Sequence, residues 1–148
     1  MYFVSYNPLK ERLRNRTITD REALPYLILL VTLEMIVLSI PNATEMNIWT
    51  VVEAILNTIA TIFGVYYVYQ KNGGSSGYDI INKYVVLGWV VCVRYAIVVM
   101  PLGILIIIIA GYYGLVGNET TLFDAIFYPI ISVIYYERLG RHIADTKL

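Results

Sequence analysis

The chain has 148 residues, of which 58% are hydrophobic and only 15% charged, and its formal net charge is zero. Soluble domains are about half apolar and about a quarter charged, and a small globule buries too little surface to hide this excess, so lipid is the expected solvent. Neutrality removes the basic field a nucleic-acid partner would need; one cysteine (Cys92) and one histidine (His142) exclude an intrachain disulfide, a multi-cysteine metal or iron–sulfur site and a bis-histidine haem.

Residues 1–22 form a basic segment carrying Lys10, Arg12, Arg14, Arg16 and Arg21. Asn7 followed by Pro8 suits a helix start, and Leu9 and Leu13, four apart, predict a short interfacial helix lying on an anionic leaflet. Thr19 with Glu22 three residues on fits a capping box for the next helix, whose opening turns Pro25 would bend. Four apolar stretches follow, at about 23–40, 46–70, 84–110 and 121–138. Crossing the hydrocarbon takes roughly 20 apolar residues, which the second and third supply easily and the first and fourth barely. Backbone groups in lipid must pair within their own segment, so these are helices. The expected fold is all-α: a four-helix transmembrane bundle over 23–138, with a cytoplasmic tail at 139–148.

Ten of the eleven Lys and Arg residues fall before the first span, between spans two and three (Lys71, Lys83) or after span four (Arg138, Arg141, Lys147). The turns after spans one and three contain none. The positive-inside rule then puts both termini in the cytoplasm, and a bacterial inner (plasma) membrane is the expected location. Trp49, Tyr66, Tyr67, Tyr69, Tyr84, Tyr112, Tyr113, Tyr135 and Tyr136 sit near span ends, as interfacial aromatics do.

The eleventh cation, Arg94, lies within span three. With Glu34, Glu53, Asn57 and Asp124 it makes up the intramembrane polar set, and such residues are functional candidates by default. Counting helix rise from the cytoplasmic edge puts Glu34 and Arg94 about 15 Å deep, Asn57 about 18 Å and Glu53 about 24 Å, so Arg94 is expected to meet acceptors near mid-membrane. A Glu34–Arg94 ion pair completed by Asn57 would be structural glue, whereas the surplus carboxylates would suit a proton or cation path. In span two Thr50, Glu53, Asn57, Thr61 and Gly64 share one stripe. In span three Gly88, Cys92, Ala96 and Gly103 form a small-residue face suited to close helix packing.

Four spans with an acidic residue, Glu34, in the first resemble the plan of the small multidrug-resistance transporters. The likeness rests on span number and that one residue; this chain is longer and strongly inside-positive, and no site residue is carried over. The residues predict a non-enzymatic subunit, working in the bilayer as a homo-oligomer or within a larger membrane complex, with no catalytic set, metal or cofactor and no nucleic-acid partner. The alternative is a small channel or proton-coupled transporter built on the Glu/Arg cluster.

Overall fold

In a computed structural model of the protein, residues 6–39, 46–115 and 119–147 are described, without the side chains of 20, 31 and 33–39. The fold is all-α. Among the described residues there are five helices, α1 (Tyr6–Arg14), α2 (Asp20–Ser39), α3 (Ile48–Asn72), α4 (Ile80–Tyr112) and α5 (Leu122–Ala144), and one 3-10 turn at Gly74–Ser76. Two of them, α3 and α4, are long and apolar enough to cross a membrane.

Local chemistry sets the helix ends. Asn47 Oδ1 accepts from the backbone N–H groups of Trp49 and Thr50 and starts α3. Gly73, at φ 112°, ends it in the left-handed region that glycine enters without a Cβ penalty. Thr121 and Asp124 cap α5 reciprocally. Thr19 and Glu22 make one half of the predicted box: the Glu22 carboxylate accepts from the Thr19 backbone N–H at 3.1 Å, while the Glu22 N–H donates to the Thr19 carbonyl. The carboxylate also takes Arg12 at 2.8 Å, tying α1 to the start of α2.

The long helices pack as a row and not as a closed ring. Contacts run from α3 to α5, from α5 to α4 and from α4 to α2, with α1 laid on α4. No contact of comparable extent joins α2 to α3 among the described residues. The α3–α5 contact is by far the most extensive, and its closeness comes from two glycines used reciprocally. The Tyr136 ring of α5 lies across Gly64 of α3, while the Tyr67 ring of α3 lies across Gly140 of α5. Neither site has room for a Cβ, the small-residue logic of helix contacts in lipid.

The apolar core sits at one end of these helices, where the starts of α2 and α4 meet the ends of α3 and α5. Leu9 and Leu13 of α1, Ala23 and Tyr26 of α2, Val68 of α3, Val86 to Val91 of α4, and Leu139 and Ile143 of α5 form it. The short helix predicted in the basic segment is α1, and its apolar face packs on protein. Leu9 and Leu13 are 2% and 1% exposed, because the ends of α4 and α5 offer them a protein surface first. Residues 139–147 belong to the same core: α5 runs to Ala144, and Leu139, Ile143 and Thr146 are fully buried.

A polar clamp fastens the same end. The Tyr78 hydroxyl, in the α3–α4 connection, lies 3.0 Å from the Arg14 carbonyl and 3.1 Å from that of Thr146. Its ring is sandwiched between the Arg16 guanidinium (4.0 Å) and the Lys83 ammonium (3.6 Å). Lys83 is fully buried and donates to Asn72 Oδ1 at 3.0 Å, and Asn72 Nδ2 donates back to the Tyr78 carbonyl. One loop residue thereby gathers the end of α1, the start of α4 and the end of α5.

Candidate functional site

Of the five predicted polar residues, Glu34 lies in α2 but its side chain is outside the described residues. The other four do not form one centre. They divide between the seam joining α3 to α5 and the far end of α4.

The seam begins at the helix starts. Thr50 Oγ1 donates to Thr120 Oγ1 at 3.0 Å, and Asn47 Nδ2 donates to the Thr120 carbonyl at 2.9 Å. Asp124 is buried and already committed, its Oδ2 accepting from the Thr121 N–H at 2.9 Å and the Thr121 hydroxyl at 2.8 Å. Its first role is therefore a helix cap, which the Thr121-x-x-Asp124 spacing announces in the sequence. Glu53, half-buried, lies in the field of Asp124, and both carboxylates act on Tyr128. One turn further along α3, Asn57 Oδ1 accepts from Ser132 at 3.2 Å. Of the predicted α3 stripe, Thr50, Asn57 and Gly64 meet α5 or the residue pair that starts it, whereas Thr61 is exposed.

Arg94 stands elsewhere. Its guanidinium lies 4.1 Å from the centroid of the Tyr6 ring, and the same ring stacks on His142 with centroids 3.9 Å apart. Arg94, Tyr95, Ile134, Arg138 and His142 line a single cavity of about 480 Å³ with Tyr6 and three valines. Its α5 wall, Ile134 to His142, begins about 9 Å along the helix from Tyr128, at 1.5 Å per residue. That offset separates Arg94 from Glu53. Counting depth from Tyr84 missed it because α4 starts earlier, at Ile80, and its first turns are wrapped by α1.

Burial governs the ionisable groups of this cavity that lie beyond the apolar spans. It pulls the His142 imidazole down to about 4, helped by the cationic fields of Lys10, Arg94 and Arg138 and opposed by Asp145. His142 Nδ1 is a buried nitrogen with no hydrogen-bond partner among the described residues. Burial also raises the Tyr6 phenol, against the fields of Arg94 and Arg138. Tyr95 donates its hydroxyl to the Ile131 carbonyl at 2.8 Å, fixing the cavity's back wall. Tyr6, Tyr95, Arg138 and His142 went unnoticed as companions of Arg94 because they come from three separate helices, and no linear spacing links them.

The predicted packing face of α4 is used in part. Gly88 is buried, with its carbonyl 3.5 Å from the Tyr135 hydroxyl, and Gly103 faces Phe127. Cys92 is half-buried, and Ala96 is exposed. Gly64 and Gly140 make the tighter approaches. Among the described residues no group of three or more His, Cys, Asp or Glu side chains could hold a metal ion. No protein-family model, curated protein or solved structure matches the chain.

Proposed function

We propose that this protein is a non-enzymatic, multi-pass membrane subunit that works as a homo-oligomer or within a larger membrane complex. The observation that carries this reading is the nakedness of its most apolar helices. Only 6% of the best spanning window of α3, and likewise of α4, is buried within the chain. Along α4, Ile97, Met100, Leu102, Ile104, Leu105 and Ile108 are each more than half exposed. In water such a surface would aggregate; in a bilayer it is covered by acyl chains or by another helix.

On this reading α2, α3, α4 and α5 are the four spans. The 20 residues of α2 extend about 30 Å, one hydrocarbon thickness. The 33 residues of α4 extend about 50 Å, so its first turns project beyond the lipid, where α1 wraps them. Counted back from Tyr112, Arg94 is about 27 Å away, which puts it at the opposite hydrocarbon boundary. Ten of eleven basic residues lie on the segments gathered at the α1 end, so that end is the cytoplasmic one. The open row supports a subunit role, because among the described residues no contact of comparable extent joins α2 to α3, which leaves each a flank for a partner.

The test is cross-linking in native membranes. With Cys92→Ser as background, Ile104→Cys should form covalent dimers on mild oxidation, or a second protein should co-purify at fixed stoichiometry. A monomer with no associated chain would overturn the proposal.

A second reading, a small proton- or cation-coupled transporter, draws on the half-buried Glu53 carboxylate, which lies in the electrostatic field of Asp124 near the α3–α5 seam. Glu53→Gln in sealed proteoliposomes decides it, since loss of an ion flux from a folded variant would favour transport.

A further inference from the structure

We propose that α1 is an acid-released latch, whose start docks on the end of α5 while the His142 ring is neutral and lets go when that ring takes a proton. The inference concerns the α1 contact alone and holds whatever the subunit assembles with.

α1 does not stand by itself. Its nine residues fall short of the roughly 12 that an isolated helix needs in water, so its shape depends on what it rests against. Leu9 and Leu13 supply the apolar contact, and both are buried. At the start of the helix, Tyr6 stacks on His142 with centroids 3.9 Å apart, and Lys10 binds Asp145 at 2.6 Å. At the other end, Arg12 binds Glu22 at 2.8 Å, and the Tyr78 hydroxyl lies 3.0 Å from the Arg14 carbonyl. The end at Arg14 is therefore tethered to α2 and to the α3–α4 connection, whereas the start rests on the chain's single histidine and its neighbours.

The setting of His142 suits a neutral ring. Its Nδ1 is buried and has no hydrogen-bond partner among the described residues, so a proton placed there would be a donor without an acceptor. Of the charged described residues that act on the ring, three are cations: Lys10 from α1, Arg94 from α4 and Arg138 from α5. The fourth, Asp145 at the end of α5, is already bound to Lys10. Once the start of α1 has left, water can solvate both ring nitrogens, so the released form is the better proton acceptor. Burial accordingly holds the docked imidazole at about 4, below its ordinary 6.5. The docked form is then fully favoured above about 6.5, and its advantage shrinks as pH falls toward 4.

The test is a distance measurement on the full-length protein in phosphatidylcholine nanodiscs. Nitroxide labels on Asn7→Cys and Ser75→Cys, both exposed, in a Cys92→Ser background report the start of α1 against the α3–α4 connection. At pH 7, double electron–electron resonance should give one narrow, short distance. At pH 4.5 a broad, longer population should appear, with the ratio of long to short rising about tenfold. That is less than the separation of the two values allows, because the ring is only half-buried. His142→Phe keeps an aromatic ring against Tyr6 but cannot charge, and should hold the short distance at both pH values. A wild-type distance unchanged at pH 4.5, the same lengthening in His142→Phe, or a His142→Phe variant already open at pH 7 would each overturn the proposal. So would a loss of helix by circular dichroism larger than the nine residues of α1, which would make the change global unfolding and not a latch.

Discussion

The Tyr136 ring of α5 lies across Gly64 of α3, occupying the space a Cβ would need. Its counterpart, Tyr67 across Gly140, sits one turn further toward the same end, so each helix supplies one knob and one hole. Gly64→Ala should therefore destabilise the protein by about 1–3 kcal/mol, the usual cost of overpacking. Unfolding in mixed micelles should report the loss, and adding Tyr136→Ala should restore much of it. If Gly64→Ala alone is neutral, the close contact is not a feature of the folded protein.

Tyr78→Phe removes one hydroxyl and leaves both cation–π partners in place. The lost hydrogen bonds to the Arg14 and Thr146 carbonyls are worth about 1 kcal/mol. Because those carbonyls end α1 and follow α5, the expected result is faster proteolysis at residues 15–19, with helix content unchanged. An unaltered cleavage rate would mean that Tyr78 does not hold the two ends.

Leu13→Ala tests the packing of α1 on the rest of the chain. A leucine this buried costs about 2–5 kcal/mol when cut back to alanine, whereas a leucine resting on lipid would mainly weaken membrane partition of α1. The expected outcome is a lower midpoint of unfolding in neutral detergent, where no anionic surface is present. An unchanged midpoint there would return α1 to the lipid surface.

Stability should fall as the solution is acidified, in two stages. His142 is pulled below its usual 6.5 to about 4, mainly by burial, so the unfolded chain binds a proton there before the folded one does. Its contribution is complete above the unfolded value and is lost as pH drops from about 6.5 toward 4. Glu22, held at about 2 by the hydrogen bond from Arg12, loses its contribution below its unfolded value of about 4.5. Denaturation midpoints of wild type and His142→Gln, followed from pH 7 down to 2, separate the stages. The first stage should be missing from the variant; its persistence there would assign the slope to another group.

What could be read from the sequence was whatever a single helix decides. The Thr19/Glu22 box, the long apolar runs of α3 and α4 and the α3 polar stripe follow from periodicity and capping chemistry, which act over a few residues. Arg94 shows where that ends. Its rarity in an apolar run marks it as special, but its company is set by how far α4 projects and by α1 folding back beside it. Neither is a property of span three. Gly140 was invisible for a related reason: it lies in what composition labels a polar tail, and its meaning comes from Tyr67, 73 positions earlier. The order in which the helices meet, α3 to α5 to α4 to α2, also did not follow from four apolar runs, because span number does not fix which pairs of helices meet.

Membrane sidedness of three loops tests the account most directly. In a Cys92→Ser background, single cysteines at Ser75, Leu115 and Lys147, all exposed, are treated with an impermeant maleimide in sealed vesicles of known orientation. Ser75→Cys and Lys147→Cys should react only from the cytoplasmic face and Leu115→Cys only from the other. Labelling of all three from one face, or release of the protein by an alkaline carbonate wash, would contradict a four-span membrane subunit.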